Sequence, residues 1–143
     1  MKLIEVDNKI LVNANKINLP LAKLSVFVVY FWFGILKVLN LSPASTLVQQ
    51  LFNKTIPVID FNYFFIAFGL FECLIGILFL IKRLERIAIL VCILHLFTTF
   101  LTLVLLKTQM WNGILIPTLE GQYVIKNVLI ISALVNITSK INK

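Results

Sequence analysis

The stretch that most constrains the fold is an apolar run over residues 61–81, FNYFFIAFGLFECLIGILFLI, with a single acid, Glu72, near its middle. The hydrocarbon core of a bilayer, about 30 Å thick, needs roughly 20 apolar residues in a helix, so this run is long enough to cross it. A carboxylate at such a depth costs about 2.5–3.5 kcal/mol on insertion scales and is rarely without a partner. We therefore expect a transmembrane helix whose acid points into a protein interior.

Two glycines are predicted to lie on the same helical face as this acid. Gly69 precedes Glu72 by three residues and Gly76 follows it by four, and these spacings place side chains on one face. Small residues on a face let a neighbouring helix approach closely. The acid is therefore expected to meet another helix rather than lipid.

The composition also indicates a membrane protein. The 143 residues are 60% hydrophobic and 13% charged, which is too apolar for an ordinary soluble domain. The net charge of +7 is concentrated beside the apolar runs, so positive-inside topology explains it better than nucleic-acid binding does. The two cysteines and one histidine have no recognisable metal-ligand spacing, so we expect no metal site.

Four apolar runs predict one all-α integral membrane domain over residues 21–138. The predicted spans are about 21–41, 61–81, 87–106 and 122–138, between cytoplasmic tails at 1–20 and 139–143. Pro20 suits the first turn of the first span. The connection at residues 82–86 is so short that the second and third spans are expected to form an antiparallel hairpin.

Between the first two spans, residues 43–57 (PASTLVQQLFNKTIP) predict a short helix. Leu47, Leu51 and Phe52 recur at helical spacing with Gln50 on the opposite face, which is typical of an amphipathic helix lying flat on a membrane surface. The predicted fold class is therefore an all-α four-helix transmembrane bundle with a short interfacial helix between the first and second spans.

Lysine and arginine are distributed unevenly between the two ends of the predicted bundle. Nine lie in the two tails, the start of the first span and the 82–86 loop, whereas the opposite loops have only Lys54 and Lys107. Cytoplasmic segments carry the excess of basic residues in membrane proteins. Both termini are therefore expected in the cytoplasm.

Two lysines share the expected outer half of the bundle with the acid. Lys37 lies four residues before the outer end of its span and Lys126 four residues after the outer start of its own, each roughly 6 Å deep. Glu72 lies roughly 16 Å deep, and a lysine stem could bridge most of the difference. We therefore predict a buried cluster of these three residues. The alternatives are lysines that snorkel to the headgroups and an ion network that only fixes helix register.

The third span carries one polar stripe, because His95, Thr98, Thr99 and Thr102 recur at spacings of three and four. His95 could act as a proton relay or as a hydrogen-bond partner of a quinone. The alternative, which we favour, is a neutral histidine that is hydrogen-bonded within a helix pair.

Three motifs resemble those of the DoxX-like superfamily of small four-helix bacterial membrane proteins, especially its branch of uncharacterised inner-membrane proteins named for stress-induced members. They are FWFGILK at 31–37, FECLIGILFL at 71–80 and EGQYVIKNVLII at 120–131. In that family a glycine shortly before a lysine ends the first helix, and an acid followed by glycine marks the second. A Gly-aromatic-x-x-Lys-Asp/Asn run opens the fourth helix.

The resemblance covers about residues 21–138 and maps the motif positions onto this chain. The matching residues are Gly34, Lys37, Glu72, Gly76, Gly121, Tyr123, Lys126 and Asn127. Asn127 stands where many relatives have aspartate, which removes one acid from the cluster.

The resemblance implies a multi-pass protein of the bacterial inner membrane that works beside redox systems. The family is named for a subunit linked to thiosulfate oxidation by quinone, and other members are tied to oxidative or chlorine stress. The predicted function is an accessory subunit, more than an enzyme, of a membrane redox or oxidative-stress system. Its partners would be the lipid bilayer and a redox protein.

The ligand of this subunit is predicted to be a quinone headgroup or a small anion. The candidate ligand-binding residues are Lys37, Glu72, Lys126, Asn127 and His95. Two cations and one acid would give the cluster net positive charge, which favours an anionic or carbonyl-bearing ligand.

Two further functions stay open as alternatives. One is a small transporter or channel, in which the His95 stripe would continue the polar path inward, and the other is a structural scaffold for a membrane complex. The nearly apolar inner halves of the first two spans favour a binding site over a pore.

Overall fold

Helices make up most of the structure, which is a computed structural model. It describes residues 2–141, with all their side chains except those of residues 2–5 and 7. The α-helices are α1 (Lys2–Val38), α2 (Ser45–Thr55), α3 (Phe61–Leu78), α4 (Glu85–Leu105), α5 (Lys107–Met110), α6 (Leu119–Ile125) and α7 (Val128–Lys140). A 3₁₀ turn, Lys82–Leu84, joins α3 to α4. A two-stranded antiparallel hairpin, β1 (Trp111–Gly113) and β2 (Ile116–Pro117), precedes α6. The predicted all-α class is confirmed, and the small hairpin is an addition to it.

Four helical stretches within the described residues are long and apolar enough to cross a membrane. They are Asn8–Val38, Phe61–Leu78, Lys82–Leu105 and Leu119–Lys140. Their number and order agree with the predicted spans. The last stretch begins at Leu119, three residues before the predicted start, because the Thr118 side chain accepts a hydrogen bond from the Gly121 N–H and so caps α6.

The first helix begins far earlier than predicted. α1 is one helix of 37 residues with Pro20 inside it, so the predicted helix start at Pro20 is wrong. Proline cannot donate a hydrogen bond to the carbonyl of Lys16 four residues before it. Both residues are exposed, so the surroundings can satisfy that carbonyl and the helix continues.

The bundle has two ends, which we call the α2 end, where α2, α5 and the hairpin lie, and the turn end, where Lys82–Leu84 lies. The main core contains buried side chains of α1, α3, α4 and α7 together with Phe79, which directly follows α3. The helix residues are Val26, Tyr30, Ile75, Ala88, Cys92, Leu96, Leu134 and Ile137. At the α2 end, a smaller core of Leu106, Met110 and Val124 joins α4, α5 and α6.

α1 and α3 form the most closely packed helix pair. A β-carbon on Gly34 would lie 2.6 Å from the carbonyl oxygen of Gly69, and one on Gly69 would lie 2.7 Å from the carbonyl oxygen of Gly34. A β-carbon on Gly76 would lie 3.1 Å from backbone atoms of α1. The predicted small-residue face of α3 is therefore confirmed, and it lets the two backbones touch.

α1 ends beside the middle of α3 rather than at the expected residue 41. Asn40 adopts a left-handed φ of 58°, and the N–H of Leu41 donates to the carbonyl of Leu36 at 2.8 Å. This is the Schellman ending of a helix, in which asparagine is the usual substitute for glycine. It leaves Lys37 in the last turn of α1, where a cation offsets the negative end of the helix dipole.

The helix predicted within residues 43–57 is confirmed as α2. Its buried Phe52 packs with ring centroids 5.6 Å from Phe61 and 4.7 Å from Phe64. α2 therefore covers the first turns of α3. Its position on a membrane surface stays a prediction.

Candidate functional site

The candidate site is a series of four hydrogen-bonded side chains, Lys37, Glu72, His95 and Tyr30, which we call the polar chain. Lys37 Nζ donates to Glu72 Oε2 at 2.6 Å. The other carboxylate oxygen, Oε1, lies 3.0 Å from His95 Nε2, and His95 Nδ1 lies 3.2 Å from the hydroxyl oxygen of Tyr30. The polar chain thus joins α1, α3 and α4.

Each hydrogen bond of the polar chain is donated in the direction of the Glu72 carboxylate. Because an ionised carboxylate only accepts hydrogen bonds, Nε2 of His95 donates to Glu72. A neutral imidazole then has Nδ1 as an acceptor for the Tyr30 hydroxyl. Glu72 is therefore the acceptor on which the other three side chains depend.

Burial makes these hydrogen bonds necessary. Lys37 and Glu72 are each 5% exposed and His95 is 8% exposed. An unpaired polar or charged group at such burial would be strongly unfavourable. Within residues 2–141, no described buried side-chain nitrogen or oxygen lacks a hydrogen-bond partner. The polar chain therefore satisfies itself, with Lys37 and Glu72 as its ion pair.

Helix phase and a glycine place Lys37 and Tyr30 in the interior. Tyr30, Gly34 and Lys37 recur at spacings of four and three on the buried face of α1. A β-carbon on Gly69 would lie 2.8 Å from the β-carbon of Lys37. The glycine therefore leaves the space through which the lysine stem passes along α3 to Glu72.

Aromatic rings surround His95. Phe68 stacks on the imidazole with centroids 5.2 Å apart, and Tyr30 meets it edge-on at 5.1 Å. The Phe71 ring lies 6.3 Å from the imidazole centroid, and this side chain is 39% exposed. On the side of Phe71, His95 therefore lies about one side chain away from the outer surface of the bundle.

The threonines of the predicted polar stripe use their hydroxyl donors within α4. Thr98 and Thr99 donate to the carbonyl of His95 at 2.7 and 3.1 Å, and Thr102 donates to the carbonyl of Thr99 at 2.7 Å. Such local bonds are common for threonine in helices. Because these hydroxyls already donate within α4, the stripe offers few free donors to a transported solute.

Lys126 lies outside the polar chain, which corrects the predicted three-residue cluster. It is exposed, and its Nζ lies 4.2 Å from the centroid of the Tyr123 ring. The buried face of α6 contains Gly121 and Val124, and a residue two positions after Val124 points about 200° away. The predicted pairing of Lys37 with Glu72 is present, but matched positions along the spans could not reveal the phase of the last helix.

Asn127 lies where α6 passes into α7 and is partly buried. Its side chain makes no capping hydrogen bond to α7. With Lys126 elsewhere, the polar chain has one cation and one acid instead of the expected excess of cations. A neutral carbonyl-bearing ligand therefore suits it better than a small anion.

Sequence reasoning missed Tyr30 and Phe68. Tyr30 precedes Lys37 by seven residues and Phe68 precedes Glu72 by four, and both spacings return to the same helical face. This phase relation is the signal that could have identified them.

No group of three or more histidine, cysteine, aspartate or glutamate side chains among the described residues is placed to hold a metal ion. The chain matches no family model, and no curated protein or solved structure is significantly similar to it.

Proposed function

We propose that the protein crosses a bacterial inner membrane four times and that its polar chain binds a quinone headgroup. It would serve as an accessory subunit of a membrane redox or oxidative-stress system, as its resemblance to DoxX-like proteins implies. The observation that carries this proposal is the buried Glu72–His95 pair, 3.0 Å apart, with the half-exposed Phe71 beside it. It places exchangeable protons close to a surface that would face lipid.

The side chains present fit the chemistry of a quinone. Its carbonyl oxygens need donors, which Lys37 Nζ and His95 Nε2 can provide. Both donors point at Glu72, so a carbonyl would replace one carboxylate oxygen as acceptor. A bound quinone would supply two-electron, two-proton redox chemistry.

Access to His95 from the side fits a membrane-dissolved ligand. The Phe68 and Phe71 rings of α3 both lie beside the imidazole, and a rotation of the half-exposed Phe71 would open a path to it. At the α2 end, by contrast, Phe52 of α2 packs on the Phe61 and Phe64 rings in the first turns of α3. The headgroup would therefore enter between α3 and α4 while its apolar tail stays in the bilayer.

A structural role is the second candidate, and the full satisfaction of the polar chain favours it. Buried ion pairs can fix helix register without binding anything. The two candidates differ in what happens when the pair is removed as a whole, since a structural pair can be replaced by a well-packed neutral one.

We expect the variant Lys37→Met with Glu72→Gln to remain folded but to bind a short-chain benzoquinone at least about tenfold more weakly, a loss of about 1.4 kcal/mol. The measurement is a titration of the purified protein in nanodiscs, followed by tryptophan fluorescence. The control is Lys126→Met with Glu120→Gln, which removes the same charges at two exposed positions and should bind like the wild type.

Equal benzoquinone affinities of the wild type and the double variant would defeat the binding site and leave the polar chain a helix-packing device. Absence of binding to the wild type itself would have the same consequence.

The proposed orientation predicts the activity of two reporter fusions. An enzyme active only outside the cytoplasm should be inactive after Lys143 and active when inserted at the hairpin tip, between Ile114 and Leu115, which are 94% and 84% exposed. The reason is the excess of basic residues at the turn end and in the tails. The opposite pair of activities would reverse the orientation.

A further inference from the structure

The tip of the β1–β2 hairpin exposes two large aliphatic side chains. Ile114 and Leu115 lie between the two strands and are 94% and 84% exposed, more than any other large hydrophobic residue among those described. Ile116, which follows them, is exposed as well. Single exposed aliphatic residues are ordinary on a protein surface, but a run of them marks a contact with another apolar surface.

The backbone at this tip is strained by one of the same residues. Leu115 adopts a left-handed φ of 59°, a conformation that glycine and asparagine adopt far more easily than leucine does. A tight hairpin tip alone would therefore favour a pair such as Asn-Gly. Departures from turn chemistry concentrate at functional positions, so the aliphatic side chains are the feature of this tip that needs an explanation.

The hairpin lies at the boundary of the proposed membrane domain. It connects two of the membrane-length stretches, Lys82–Leu105 and Leu119–Lys140. At its base, Trp111 Nε1 donates to the carbonyl of Leu103 at 3.0 Å, and Leu103 belongs to the last turn of α4. The base of the hairpin is therefore level with the end of a membrane-length helix.

The length and composition of the hairpin suit contact with lipid. Three residues of strand reach about 10 Å, and interfacial segments bury their apolar side chains by about 5–10 Å. Trp111 and Lys107, beside the tip, are residue types that anchor proteins at the membrane–water interface. No charged residue lies between Lys107 and Glu120, so insertion of the tip would carry no charge into the acyl chains.

We propose that the hairpin is a lipid anchor, which inserts Ile114 and Leu115 into the leaflet at the α2 end. The anchor rests on the proposed membrane crossing and not on quinone binding, because the polar chain includes no residue of the hairpin. A reporter enzyme inserted at the tip would stay on the same side of the bilayer, so the orientation test is independent of the anchor.

The test uses a fluorophore beside the tip of the full chain in nanodiscs. An NBD label on Asn112→Cys occupies an exposed position next to the tip, and the native Cys73 and Cys92 are buried, so they should stay unlabelled. The quenchers are phosphatidylcholine with a nitroxide on its acyl chain and iodide in the water. With the native tip, the lipid nitroxide should quench the label strongly and iodide weakly.

The matched variant removes the two aliphatic side chains without disturbing the turn. Ile114→Ser with Leu115→Gly should lower quenching by lipid at least about threefold and raise quenching by iodide, because burial of apolar surface drives the insertion. Glycine suits the left-handed φ at position 115. The control is Val58→Ser, which changes a residue that is 78% exposed in a different loop of the α2 end and should leave both quenching values unchanged.

Two outcomes would overturn the anchor. One is equal quenching by lipid with the native tip and with the double variant. The other is stronger quenching by iodide than by lipid with the native tip, which would leave the tip in water and open to a partner protein.

A second label separates the anchor from the membrane crossing on which it rests. Leu94 is 58% exposed near the middle of α4, so a label on Leu94→Cys should be quenched by lipid if α4 crosses the bilayer. Quenching there but not at Asn112→Cys would defeat the anchor alone, and quenching at neither position would defeat both. The tip variant should bind benzoquinone like the wild type, so the polar chain is tested separately.

Discussion

Glu72→Gln is expected to lower the free energy of unfolding by about 3–5 kcal/mol, since breaking a buried ion pair leaves its other charge uncompensated. The ammonium of Lys37 would then be that charge, in a side chain only 6% exposed. The loss should also reach His95 and Tyr30, because their hydrogen bonds run toward the same carboxylate. Unfolding in detergent micelles, followed by circular dichroism, measures the change.

Adding Lys37→Met should recover most of this stability. Methionine can follow the path of the lysine stem beside Gly69, and a glutamine at position 72 still offers a carbonyl oxygen to His95 Nε2. Replacing a buried ion pair by a well-packed neutral pair is often neutral or stabilising. Removing both charges should therefore cost less than removing the acid alone.

Two single changes serve as controls for this pair. Glu120→Gln and Lys126→Met alter exposed side chains, and such substitutions usually shift stability by less than about 0.5 kcal/mol. If Glu72→Gln lowered the free energy of unfolding as little as Glu120→Gln, the Glu72 carboxylate would not be stabilising a buried cation. The expected order is instead a large loss, a recovery in the double variant and two near-neutral controls.

Gly69→Ala is expected to destabilise the bundle by about 3 kcal/mol, the upper end of the usual cost of overpacking. Its β-carbon would lie 2.7 Å from the carbonyl oxygen of Gly34 and 3.0 Å from the backbone nitrogen of Val38. Backbone atoms cannot rotate away, so α1 and α3 must move apart. That movement would separate Lys37 from Glu72, so the ion pair weakens with the packing.

Gly113→Ala is the matched control, because the nearest atom to its β-carbon would be a side-chain carbon of Ile116 at an ordinary 3.5 Å. Its unfolding midpoint should stay close to that of the wild type. A combination of Gly69→Ala and Glu72→Gln should cost less than the sum of the two, since both weaken the same pair. Strict additivity, or a Gly69→Ala variant as stable as Gly113→Ala, would contradict the close α1–α3 contact.

The sequence predicted the all-α class and the number and order of the membrane-length helical stretches well, because these depend on apolar length. The runs around Glu72 and His95 stand out without any knowledge of their neighbours. The amphipathic pattern within residues 43–57 likewise predicted α2. Helix ends were predicted less well, as Pro20 shows, because an exposed backbone can satisfy a lost hydrogen bond in ways that local sequence does not specify.

The same reasoning correctly paired two residues of the predicted three-residue cluster, Lys37 and Glu72. A buried acid beside glycines predicted a partner on another helix, and Lys37 is that partner. Depth could not separate Lys37 from Lys126, since both were expected at similar distances from the membrane surface. Their different positions depend on the face that each helix turns toward the bundle.

The sequence by itself determined an all-α chain with four helices long enough to cross a membrane, a small-residue face on α3 and an acid that requires a buried partner. Those features follow from length, period and the unfavourable burial of charge, which are properties of one segment at a time. Only the tertiary structure decided that His95 and Tyr30 complete the polar chain and that Lys126 lies outside it. The reason is that pairwise contacts depend on helix phase and on where each helix ends, and these are set when the helices pack together.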